Sequence, residues 1–236
     1  MTKQNSSSVE RRSFLTRLSA GAVALAATIA TGASTAQAQT PAAGPWQPAR
    51  HEKDDWLDQL PGKHRIVFDT TSSDTLSEAL LFAGNFIRTN RSAYNVESSD
   101  LAVLIIARHR SASLALNDQM WEKYGKQLSA RSGFVDPKTK APPTANLFNS
   151  AEASKLLPGR GATLDAVLKL GAHFGVCATA TRGVAGAIAE ATGQKTDEVF
   201  NELAANLISS TQARLVPAGI ITISRAQERG YSLVAG

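Results

Sequence analysis

The chain's single cysteine, Cys177, closes the apolar stretch Phe174-Gly175-Val176 and precedes Thr179, Thr181 and Arg182. Thiolate is the reactive form of cysteine. A cysteine that ends a strand just before a helix N-terminus gains from the helix dipole and from a nearby cation, here Arg182. Flanked by Val176 and Ala178, the same residue equally suits a small apolar side chain packed under a helix. Three other short stretches carry residue types that bind or react: Asp69-Thr70-Thr71, Arg108-His109-Arg110 and Pro217-Ala218-Gly219. Each follows a candidate strand, and in open parallel sheets ligands gather beyond the carboxyl ends of the strands. One rim would then hold the carboxylate of Asp69, the hydroxyls of Thr70, Thr71 and Thr179, the cations Arg108 and Arg182, His109 and the thiol. Such a set suits a small anion or a persulfide, with His109 exchanging a proton with Cys177 if their strands are neighbours. The plainer roles are a turn-forming Asp69, turn hydroxyls at Thr70 and Thr71, a solvated Arg108 and a surface His109.

The elements that must position these residues are marked by pattern. Arg65 to Asp69, Leu101 to Ala107, His173 to Ala178, Arg214 to Val216 and Tyr231 to Val234 are short apolar or β-branched runs that read as strands. Between the first two, Leu76, Ala79, Leu80, Ala83, Phe86 and Ile87 recur at helical spacing, and Thr75 with Glu78 has the form of a capping box. Further helices are expected over Ser113 to Tyr124, closed by Gly125, and over Thr163 to Leu170, Thr181 to Thr192 and Thr196 to Leu207. Ile220 to Ser224 looks like a strand by propensity, while Ile220, Ile223 and Gln227 followed by Gly230 fit a helix. From Lys126 to Gly161 the periodicity disappears, which suggests a functional flap or a disordered insertion. Strands alternating with helices predict an α/β fold of three layers, α/β/α, around a mainly parallel sheet of about five strands.

Composition narrows the function classes. One cysteine excludes an intrachain disulfide framework and cysteine-rich metal centres, and no cofactor or metal is expected. Gly159-Arg160-Gly161 lacks the rest of either phosphate-binding glycine motif, and no Gly-x-Ser-x-Gly elbow occurs. The 25 Lys and Arg exceed the 20 Asp and Glu, but the first 38 residues hold four of those cations and only one acid, Glu10. Beyond them 21 cations face 19 acids, a net charge of +2 that supports no nucleic-acid partner. Residues 1–38 themselves read as a targeting peptide: a basic stretch, an uncharged run from Leu18 to Gly32, then Ala36-Gln37-Ala38, with cleavage expected after Ala38. The run is shorter than the ~20 residues a spanning helix needs. Residues 39–62 read as a loose, flexible N-terminal arm with at most one short helix, and the domain as 63–236 with the insertion 126–161.

Arg11-Arg12-Ser13-Phe14-Leu15 resembles the twin-arginine export motif, which implies delivery of a folded protein by the twin-arginine translocase to the periplasm. The stretches HRIVFDTTS at His64 to Ser72, LAVLIIARH at Leu101 to His109, FGVCATATRGV at Phe174 to Val184 and RLVPAGIITISRAQERGYSL at Arg214 to Leu233 resemble the DsrE-like family, also called DsrE/F, with its YchN-like fold. The resemblance covers roughly Lys63 to Val234 and favours helix over strand for Ile220 to Arg229. It implies a sulfur relay in which Cys177 accepts sulfur as a persulfide and passes it to a partner thiol protein. Export and the long insertion depart from the known relays. The alternative is a non-catalytic periplasmic ligand-binding or assembly module of the same fold, holding a small sulfur or anionic ligand. A homo-oligomer is expected because DsrE-like proteins commonly assemble, and because Trp46, Trp56 and Tyr231 lie where a lone domain would leave them partly exposed.

Overall fold

The structure is a computed structural model and describes residues 47–235; the export motif at Arg11 and Arg12, the cleavage site after Ala38 and the arm up to Trp46 lie outside them. Five parallel strands, β1 (His64–Thr70), β2 (Leu101–Ala107), β3 (His173–Cys177), β4 (Ala213–Val216) and β5 (Ser232–Ala235), form one sheet in the order β4-β3-β2-β1-β5. The helices are α1 (Trp56–Gln59), α2 (Ser73–Tyr94), α3 (Asp118–Ser132), α4 (Ala151–Ser154), α5 (Leu164–Lys169), α6 (Ala178–Thr192), α7 (Thr196–Ala205) and α8 (Gly219–Gln227). The chain steps in one direction from β1 to β4, so right-handed crossovers place α2 to α7 on one face. The step from β4 back to β5 runs the other way, and α8 crosses the opposite face.

The two faces carry separate cores. On the first, Ile66, Phe68, Val103 and Ile105 pack with Leu80, Trp121, Leu128 and Ile188. On the second, Val67, Leu104 and Ile106 meet Ile223 and Ala226 of α8, a helix of only nine residues. Such a helix cannot cover five strands, and the remainder is filled by Trp56, Leu57 and Leu60. The described part of the expected loose arm is therefore a docked strap. Arg65 and Tyr231 both donate hydrogen bonds to the Leu57 carbonyl, at 3.0 and 2.9 Å, Arg229 donates to Asp58 at 3.0 Å, and the Arg214 guanidinium lies 4.6 Å from the Trp56 ring. Trp56 and Tyr231 are only 8% and 3% exposed within their own chain, so they no longer argue for a partner subunit. Burial is also the leading reason that the Tyr231 phenol is pushed up to about 12.

Several helix bounds differ from the sequence pattern, among them the start of α3, at Asp118 and not Ser113, and the end of α7, at Ala205 and not Leu207. α2 begins at Ser73, with Ser72 and Thr75 forming the reciprocal cap in place of Thr75 and Glu78, because only Thr71 and Ser72 separate it from β1. α6 starts at Ala178, directly after Cys177, and not at Thr181. α3 runs through Gly125 to Ser132. Gly125 is needed for close approach and not for stopping the helix: a Cβ there would meet the Pro143 carbonyl oxygen at 2.1 Å.

That contact belongs to the segment 126–161, which is packed where a flap or disordered insertion was expected. Its first residues complete α3. Phe134 and Phe148 are buried against Trp121, with Phe134 edge-on to the indole and 5.2 Å from Phe148. Gly159 donates to the Ser77 hydroxyl at 2.8 Å. Asn146, 3% exposed, donates to the Leu114 and Leu116 carbonyls, each at 2.7 Å. Asn146→Ala would leave both carbonyls without this partner and should cost about 2 kcal/mol in urea unfolding. A change below about 0.5 kcal/mol would show that Asn146 does not pin the segment.

Candidate functional site

The opposed crossovers create a topological switch point between β3 and β4, whose chains continue onto opposite faces as α6 and α8. In open α/β sheets the crevice outside the strand ends at such a point is where ligands bind. Cys177 and Pro217 stand at its two lips, and the Thr179 hydroxyl spans it to the Pro217 carbonyl at 3.1 Å.

Strand alternation places Cys177 on the same face as Gly175, whose missing Cβ would point at Ile106 and Val216. The sulfur faces the thinly covered side of the sheet and is 7% exposed by residue. As the N-cap of α6 it accepts the Ala180 N–H at 3.5 Å, and its carbonyl accepts the buried Thr181 hydroxyl at 3.0 Å. An anionic sulfur at a helix N-terminus is favoured by the helix dipole and by the N–H itself.

Arg108 is the lateral neighbour. Ala107 pairs with Val176, so the next residues on the two strands, Arg108 and Cys177, stand side by side at the edge. Arg108 is held there by a bidentate fork to Asp69, Nε to Oδ1 at 2.7 Å and Nη2 to Oδ2 at 2.8 Å. The Asp69 hydrogen bonds raise the Arg108 pKa above its ordinary value. Partial burial opposes them, while coulombic interaction with Asp69 and with Cys177 adds to them. Beneath the pair a buried hydroxyl knot fixes the backbone: Thr70 donates to the Ile106 carbonyl at 2.8 Å, and Ser111 donates to the Thr70 carbonyl at 2.8 Å. The Thr71 N–H is used by Thr75 at 2.9 Å, which makes Thr71 part of the α2 entry.

Two expected rim residues go elsewhere. Because α6 starts early, Arg182 lies a full turn inside the helix and engages α7, donating to Asp197 at 2.7 Å with its guanidinium 4.8 Å from the Phe200 ring. Arg108, not Arg182, is the cation beside the thiol. His109 adopts a left-handed backbone, φ 55°, that turns the chain after Arg108. It lines a separate cavity with Ala180 and Val184, and no hydrogen bond joins it to Cys177 among the described residues.

The sequence placed Gly219, the first residue of α8, at the rim without showing what it is needed for. A Cβ there would sit 2.7 Å from the Arg108 Cβ and 3.0 Å from Ile106 Cγ2, so only glycine lets α8 close over the pair. Its one visible signal was the turn Pro217-Ala218-Gly219 after β4. Among the described residues no group of three or more His, Cys, Asp or Glu could hold a metal ion, and no helix is long and apolar enough to cross a membrane. No family model, no curated protein and no solved structure matches the chain.

Gly219→Ala should therefore destabilise by about 1–3 kcal/mol in chemical unfolding, since the clashing atom is the Arg108 Cβ and not the free end of a flexible side chain. Unchanged stability would contradict this close approach.

Proposed function

We propose that the protein is an exported, DsrE-like sulfur carrier in which Cys177 takes up sulfur as a persulfide in the periplasm and hands it to a partner thiol. The observation that carries the reading is the placement of the chain's single thiol: at the switch point, on an N–H of α6, beside an Arg108 locked by Asp69. The five-stranded parallel sheet agrees with the fold that the resemblance implies.

The transfer needs no net redox change. The Cys177 thiolate attacks the outer sulfur of a donor persulfide; an S–S bond forms at Cys177, the donor S–S bond breaks, and its inner sulfur departs as a thiolate. A partner thiolate repeats the exchange on the Cys177 persulfide and regenerates the Cys177 thiolate. The α6 N–H and the Arg108 charge stabilise the anion before attack and after release. The narrow exposure of Cys177 limits donors to slim, extended sulfur chains. Export would follow the twin-arginine route, and assembly as a homo-oligomer is part of the proposal. Ile220 and Ile221 of α8, 59% and 49% exposed, are the apolar side chains that assembly would cover.

The burial of Cys177 also favours the second reading, a non-catalytic binding or assembly module in which the thiol is a packing residue. Intact-mass measurement after exposure to polysulfide separates the two. The carrier gains the mass of one sulfur atom, loses it to excess thiol, and gains nothing as Cys177→Ser. An unmodified native protein, or an adduct that persists in Cys177→Ser, would overturn the carrier reading.

A further inference from the structure

On the other side of the first turn of α6 from the thiol, a cavity of about 410 Å3 is lined by His109, Arg110, Arg131, Gly133, Ala180 and Val184. It holds three basic side chains and no carboxylate. Arg108, Arg182, Arg225 and Arg229 all have carboxylate partners, whereas Arg110 and Arg131 have neither an ion pair nor a side-chain hydrogen bond among the described residues. Both arginines are exposed and keep their hydrogen-bond donors free, so an anion in the cavity could take up charge-assisted hydrogen bonds from them.

Backbone features bring the charges together. The left-handed turn at His109 sends Arg110 to this side of the sheet, away from Asp69. A non-glycine residue held in that conformation is a strain that the surrounding structure has to hold. Gly133, φ 71°, ends α3 and lets the chain fold back below Arg110, whose Nη1 would lie 3.9 Å from a Cβ placed there. The last turn of α3 presents Arg131 to α6 at Gly183, where a Cβ would stand 3.2 Å from its Nη2. Gly133 and Gly183 thus leave room for the guanidinium groups of Arg110 and Arg131 beside the cavity.

The cavity is too large for a bare inorganic ion and falls in the range that takes small organic ligands. Two guanidinium forks match a tetrahedral oxyanion, and Ala130, Ala180 and Val184 give a small apolar floor. We infer that this cavity binds a small organic molecule carrying a phosphate or sulfonate head, held by Arg110 and Arg131 with His109 at the rim. The site is independent of the Cys177 chemistry, because Cys177 does not line it and faces the other side of the sheet.

Isothermal titration of the protein beginning at Gln39 with phenyl phosphate and with benzenesulfonate tests the inference and identifies the head group. Saturable binding of at least one probe is expected, with benzyl alcohol inert and affinity falling as salt is raised. Arg110→Gln and Arg131→Gln should each weaken binding about tenfold, the loss of a charged hydrogen-bonding partner. Cys177→Ser and Arg182→Gln should leave it unchanged, so failure of the carrier reading and failure of this site are separately visible. No saturation by about 10 mM of either probe, equal binding of benzyl alcohol, or indifference to both arginine substitutions would overturn it.

Discussion

The fold turns on a single backward crossover, from β4 to β5. Four strands laid down in one direction with right-handed connections put every earlier inter-strand helix on one face. Reversing once, at the end, creates the switch point beside Cys177 and leaves the second face with α8 alone. From that shortage of cover follows the docking of Trp56, Leu57 and Leu60, and with it the role of Arg65, Arg214, Arg229 and Tyr231 as clamps. The thiol therefore sits where the sheet is most thinly roofed.

The Arg108–Asp69 fork connects this architecture to chemistry. Both side chains point to the thin face from adjacent strands, and α8 closes over Arg108 only because Gly219 has no side chain. An arginine tied through two of its three nitrogens keeps a fixed direction, so its charge stays beside Cys177 without the entropy cost of recruiting a loose surface cation. The hydroxyls of Thr70 and Ser111, fully buried and bonded to strand carbonyls, hold the same corner from below.

Much of the sheet was legible in the sequence because continuous apolar runs such as Leu101 to Ala107 have few other homes, and all seven of those residues are buried. The residues alone left Ile220 to Ser224 open between strand and helix, and the resemblance favoured the helix that forms over Gly219–Gln227; its core face is Ile223 and Ala226, whereas Ile220 is exposed. What was not legible depends on partners distant in sequence. Gly125 looks like a helix stop until Pro143 is placed against it, and Asn146 looks like loop composition until it meets the carbonyls of Leu114 and Leu116. At the site, the residue types and the rim were legible but the pairing was not. Asp69 and Arg108 are 39 residues apart, and Arg182, the nearer cation in sequence, turns to Asp197.

Arg108, and not the sequence-near Arg182, is the cation that stands beside Cys177. The most direct measurement is the rate of alkylation of the native thiol at neutral pH and low salt in Arg108→Gln and Arg182→Gln. A several-fold slower reaction is expected in Arg108→Gln, where the thiolate loses its neighbouring cation and faces an unpaired Asp69, and an unchanged rate in Arg182→Gln. An unchanged rate in Arg108→Gln, or an equal slowing in both, would contradict it.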